Sequence, residues 1–187
     1  MLSFAATKKT AAALLIRNLT TSAPLSIPYP YGVAATAQKD KPVAALAFTG
    51  SGTAQGATIG WLDTSKAGDA HGSLDAQKIR PQEFTENAEF WPRVQRVIAE
   101  HAHEDPELQS QAAFLKDGWM NIMDGRNPPP PGRTGDAEDI LGCVLVKAKQ
   151  IQQGSFQANW AHRPVTRNGL FQLPSFLQQK LTRSLKD

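Results

Sequence analysis

The sequence predicts an α+β fold: a mainly antiparallel sheet with a two-helix hairpin and a C-terminal helix packed on one face. Three observations carry this. Residues 118–173 alternate β-rich runs with turn residues, and Asn168-Gly169 between two such runs is the strongest short-range hairpin signal. Residues 87–116 hold two helical periods broken at Asp105-Pro106. The last segment opens on Pro174 and spaces Phe176, Leu177, Leu181 and Leu185 for one helix face. Its Lys180, Arg183 and Lys186 lie near the negative end of that helix's dipole.

In chain order, residues 1–26 are basic, free of acid and rich in Ala, Ser and Thr, which resembles a mitochondrial presequence. Cleavage is expected after about residue 19 or 26, guided by Arg17. The apolar run Ala11 to Ile16 is too short for a secretory signal, and no run is long enough to span a membrane. Residues 27–41, with Pro28 and Pro30, are expected as an extended linker. Residues 42–187 then form a single α+β domain, well within the size of one domain.

Strands are expected at 42–49 and 57–63, and the sequence leaves open whether they join the main sheet. The glycine-rich stretch Gly50 to Gly56 between them lacks both the dinucleotide spacing and the Gly-Lys-Ser/Thr ending of a P-loop, so it reads as a hairpin or loop. Residues 64–72 read as a second polar loop. The first helix begins near Ala88, with Pro92 in its first turn and Phe90, Val94, Val97 and Ile98 on one stripe. The second has Asp105 as N-cap, Pro106 at N1, and Leu108, Ala112 and Leu115 as its buried face. His101 and His103 point apart on a helix and read as solvated. Cys143 lies among Leu141, Val144 and Val146 and reads as a small buried hydrophobe.

The stretch 118–173 organises the chain. After a strand at 119–124, Gly125-Arg126-Asn127 opens a loop, Pro128 to Pro131 stiffen it, and Asp136-Ala137-Glu138-Asp139 closes it before the strand 140–147. A strand at 154–160, a hairpin with arms 163–167 and 170–173, and the terminal helix follow. Arg126 and Arg133 stand near Asp124, Asp136, Glu138 and Asp139, so ion pairs can fix the loop. Alternatively, the arginines can take a carboxylate or phosphate. Read as exposed pairs, they would contribute little to stability.

Charge excludes one broad class. The chain carries 20 Lys and Arg against 17 Asp and Glu, but Lys8, Lys9 and Arg17 supply the whole excess. The remainder is neutral and lacks the footprint of a phosphate-backbone binder, so neither DNA nor RNA is expected as a partner. No metal-ligand pattern occurs and no cofactor is expected. The pattern Arg126-Asn127-Pro128-Pro129-Pro130, Gly132-Arg133, Glu138-Asp139-Ile140-Leu141-Gly142, Phe156, His162-Arg163, Val165-Thr166 and Gly169-Leu170 resembles a small family of eukaryotic proteins with no activity attached. The resemblance covers roughly residues 118–180 and implies no catalytic residue.

These readings point to a soluble mitochondrial matrix accessory or assembly protein. It would bind a mitochondrial protein partner or complex through the rigid Pro/Arg loop 125–139. The candidate binding residues are Arg126, Arg133, Arg163, His162, Asp136 and Asp139. The alternative is a small enzyme or ligand-binding protein for an anionic metabolite. There, Arg126, Arg133 and Arg163 would clamp the anion and His162 would act as acid or base.

Overall fold

Among the described residues, two larger antiparallel sheets, a two-stranded hairpin and three helices meet around one core in the computed structural model, an α+β fold. It describes residues 25–27, 33–37, 43–48, 57–63, 79–130 and 133–186. Most of the presequence stretch, the glycine-rich loop 50–56 and the polar loop 64–72 lie outside the described residues.

The first sheet is a five-stranded meander of β1 (Leu25–Ile27), β2 (Val33–Ala37), β3 (Val43–Phe48), β4 (Thr58–Asp63) and β5 (Phe84–Glu86). The expected strands β3 and β4 therefore build their own sheet. Of the stretch expected as a linker, residues 33–37 are a hydrogen-bonded strand: β2 pairs with β3 from Val33↔Phe48 to Ala37↔Ala44. Pro28 and Pro30, which cannot donate to a ladder, fall between β1 and β2. At the other edge, β5 crosses Gly60 of β4, its partner in register being Glu86. A Cβ at Gly60 would run into the Phe84 ring and the Thr85 carbonyl, so glycine lets the two strands close.

The second sheet is built on β7 (Ile140–Lys147), the run richest in β-branched and aliphatic residues. β6 (Gly118–Met123) pairs along one edge, while β8 (Gln150–Ile151) and β9 (Gln157–Ala158) share the other. The strand expected over 154–160 shrinks to two residues because Ser155 interrupts the ladder. Its hydroxyl accepts the Leu145 N–H at 3.0 Å and donates to the Gln152 carbonyl at 2.6 Å. The β7–β8 turn places Ala148 and Lys149 at φ 48° and 66°, the left-handed region, with no Gly or Asn to announce it. Its amides are anchored instead, Ala148 to the Asp117 carboxylate and Lys149 to the Lys116 carbonyl, both at 2.8 Å.

A separate hairpin joins β10 (Val165–Thr166) to β11 (Gly169–Leu170). Thr166 pairs with Gly169, so the loop is Arg167-Asn168, one residue earlier than expected, and Gly169 supplies the positive φ of 95° that closes it.

Helix α1 (Phe90–His101) buries the expected stripe Phe90, Val94, Val97 and Ile98, with Pro92 in its first turn. A 3-10 turn, Ala102–Glu104, leads to α2 (Pro106–Leu115). Asp105 caps α2 as the sequence predicts, accepting the Glu107 and Leu108 N–H groups at 2.9 and 3.2 Å. Helix α3 (Ser175–Ser184) buries Leu177 and Leu181. α1 packs on β4 and on α3, whereas α2 packs on β6 and β8. The helical layer thus serves both sheets, and one cluster of buried residues runs from Leu46 on β3 to Leu185 after α3.

Aromatic rings carry the core towards the loop 125–139. Phe48, Phe90 and Phe171 lie about mutually in contact, with centroids 5.9 to 6.3 Å apart. Trp91 meets Phe171 edge-on at 5.5 Å and turns its face to His162.

Candidate functional site

The loop 125–139 is closed at its base by backbone bonds. The Asp124 amide donates to the Asp139 carbonyl and the Gly125 amide to the Gln172 carbonyl, each at 2.9 Å. Between these closures lies a buried polar cluster centred on Arg126, whose side chain is 1% exposed. Its Nε donates to Asp139 Oδ1 at 2.7 Å. Nη1 donates to the carbonyls of Pro164 and Gly169 at 3.2 and 3.1 Å. Nη2 donates to those of Glu138 and Arg163 at 3.0 and 2.7 Å. A guanidinium has five N–H donors, and these acceptors take them all.

The two carboxylates are equally enclosed. Asp124 accepts the Arg126 and Gln172 amides on Oδ1 at 3.0 and 2.8 Å, and His162 Nε2 on Oδ2 at 2.9 Å. That oxygen also lies 3.2 Å from Arg126 Nη2. Asp139 receives the side-chain amides of Asn127 and Asn168 on Oδ2, at 3.3 and 3.0 Å. Donors on both oxygens are what allow carboxylates to be buried without a large penalty.

His162 completes the cluster from its own segment. The short contact to Asp124 sets the tautomer: the proton sits on Nε2, and Nδ1 is buried without a partner among the described residues. Protonating Nδ1 would bury an unsatisfied N–H. Desolvation accordingly pushes the His162 pKa below its usual value, outweighing the pull of the Asp124 carboxylate in the opposite direction.

The sequence-derived residues therefore divide into two sets. Arg126, His162 and Asp139 are brought together, but inside the protein, where every N–H of Arg126 is used by protein acceptors. The anion clamp expected of Arg126 has no donor left to offer, and Arg126 forms no exposed pair. Arg133, Arg163 and Asp136 lie outside. Arg133 is exposed and closes a turn through its backbone N–H to Pro130 at 3.1 Å. Asp136 pairs with Arg167 at 3.0 Å, and both side chains are largely solvated, so the pair contributes little.

Two shallow depressions adjoin Arg163, and one of them also Asp136; Arg133 borders neither. One, of about 440 Å³, lies between Phe84, Pro81 and the segment Arg163 to Arg167. The other, of about 500 Å³, lies against Asp136, Ala137 and Trp160. Glu138, Arg163 and Arg167 border both. Sequence reasoning missed Trp91, Trp160 and Arg167 here. The Asn159-Trp160-Ala161-His162 run was the available signal, since a tryptophan beside a turn-forming Asn is unusual cargo for a strand end.

Among the described residues no group of acidic, His and Cys side chains is arranged to hold a metal, and no helix is long and apolar enough to cross a membrane. Three comparisons with known proteins return no match: no family model, no curated protein and no solved structure is significantly similar to the chain.

Proposed function

We propose that this protein is a mitochondrial accessory or assembly factor that acts by binding another protein through the face built on the loop 125–139. The observation that carries the reading is the pair of adjoining depressions that share Glu138, Arg163 and Arg167. Their walls are mixed in charge and open to solvent, as the polar rim of a protein interface is, and they stand on a buried cluster that holds them in place. Such a preformed face loses little conformational freedom on binding. The mitochondrial part rests on the composition of residues 1–26.

Co-purification from matrix extract at mild salt tests the reading, comparing the natural chain with an Arg133→Gln, Asp136→Ala double variant. Both side chains are exposed, so the melting temperature should hold while a stoichiometric partner is lost. A strictly monomeric protein without a stable partner at native abundance would overturn it. Residues 1–26 fused to a reporter test import separately, and a reporter left in the cytosol would remove the mitochondrial part.

A further inference from the structure

The interface reading leaves the partner's chemistry open, and Trp160 narrows it. Its side chain belongs to a residue 88% exposed, yet the turn beneath it is fixed on both sides. The Asn159 amide group donates to the carbonyls of Ala137 and Ile140 at 2.7 and 2.8 Å and its Oδ1 accepts the Ala161 N–H at 3.0 Å. On the other side, His162 is locked between Asp124 and Trp91. A large amphipathic ring on a fixed mount has little entropy to lose when it is covered, and tryptophan is among the residues that dominate binding energy at interfaces.

Of the four charged side chains around the depression beside the ring, Arg163 and Glu138 have no opposite partner among the described residues, and Arg163 is the exposed one. Arg167 is matched by Asp136, but the exposed Arg163 side chain has no acidic partner among the described residues, although its own carbonyl and N–H are bonded. Arg163 borders the same depression as Trp160. Asp136 and Glu138 line that depression too, and their carboxylates would oppose the phosphates of a nucleic acid or of an anionic membrane. A single carboxylate meets that opposition at Glu138 alone, since Asp136 is already matched by Arg167, and Arg163 offers it a bidentate fork in return.

Resting on the protein-binding reading, we propose that Trp160 and Arg163 receive an extended segment of the partner protein. This segment carries an Asp or Glu side chain for Arg163, and beside it an apolar side chain that covers the Trp160 ring. The guanidinium takes the carboxylate as a charge-assisted bidentate pair, and the ring supplies the buried apolar area.

The test uses the full chain and short synthetic peptides that place Asp or Glu at varied spacing from Leu or Trp. Matched peptides with Lys in place of the acid, a single-stranded oligonucleotide and anionic vesicles complete the set. Acidic peptides should bind and perturb the fluorescence contributed by Trp160, identified by difference against Trp160→Phe. Arg163→Glu should reverse the preference towards the Lys peptides by about tenfold or more, with an unchanged melting temperature because Arg163 is exposed.

Equal binding of acidic and Lys peptides, no peptide binding at all, or an Arg163→Glu variant with unaltered preference would each overturn the proposal. If Lys or uncharged peptides bind best at Trp160, the partner chemistry proposed here falls while the protein-binding reading stands. If only the oligonucleotide or the vesicles bind there, both fall.

Discussion

His162 and Trp91 lie face to face, their ring centroids 4.5 Å apart and their planes 2° from parallel. Stacking of this kind suits a neutral imidazole when, as here, the ring is buried and its Nδ1 has no acceptor. The His162 pKa is lowered on folding from an ordinary value of 6.5, so the unfolded chain binds the proton more readily than the folded one. The stability tied to His162 is therefore fully present above about pH 6.5. It is lost progressively as pH falls from there through the lower folded value. The slope should approach at most about 1.4 kcal/mol per pH unit. Urea unfolding from neutral pH down to the edge of the carboxylate range measures it. His162→Gln, which keeps a donor for Asp124, should flatten the slope even though it lowers stability overall. A wild-type stability independent of pH in this window would contradict the buried neutral tautomer.

Arg126 sets a second expectation, the opposite of what an exposed loop arginine would give. Arg126→Met leaves Asp124 and Asp139 buried without their cation and strands four carbonyls. The loss should be about 3–5 kcal/mol, a large share of the ~5–15 kcal/mol available to a typical domain. Arg126→Lys should recover only part, because an ammonium cannot reach the same fork of acceptors. Chemical denaturation of both variants checks this, and a loss below about 1 kcal/mol for Met would mean the cluster is not a structural clasp.

The β7–β8 turn should be improvable. Ala148 and Lys149 occupy left-handed backbone that costs an L-residue roughly 1–2 kcal/mol. Ala148→Asn with Lys149→Gly supplies the residues such a turn favours. Part of the gain is offset by the greater freedom of glycine in the unfolded chain. A net stabilisation of about 0.5–1 kcal/mol is expected, read from the denaturation midpoint, and an unchanged or lower midpoint would count against the turn geometry.

Gly60 should tolerate no side chain. Gly60→Ala drives a methyl group against the Phe84 ring and the Thr85 carbonyl, and overpacking of this sort costs about 1–3 kcal/mol. Adding Phe84→Leu should restore only the ring's share, because the carbonyl belongs to the backbone of β5. Full rescue by the second substitution would show that β5 can move freely away from β4.

Several of these elements were legible in the sequence. Asp105-Pro106 carries its own cap chemistry, the stripe of α1 is periodic, and the hydrophobic run of β7 needs no context. The short strands were not legible. β5 is three residues admitted by a glycine 24 positions earlier in β4, and the interruption before β9 hangs on one hydroxyl. The residues of the buried cluster were singled out, yet their burial was not visible. Four of the acceptors that enclose Arg126 are backbone carbonyls, atoms every residue has, so composition cannot announce them. Trp91 escaped notice for a related reason: it stands beside the buried stripe of α1, not on it, and its partner lies 71 residues away.

The carbonyls that hold Arg126 belong to Glu138, Arg163, Pro164 and Gly169, and two of those residues, Glu138 and Arg163, also line the outer depressions. Main chain and side chain are thus divided between two tasks at the same positions. Substituting the side chain at 138 or 163 rewrites what the surface displays while the inward carbonyl stays where it was. A lineage could exchange one partner for another at these two positions without rebuilding the mount, and an engineer could do the same by randomising them in an otherwise fixed chain.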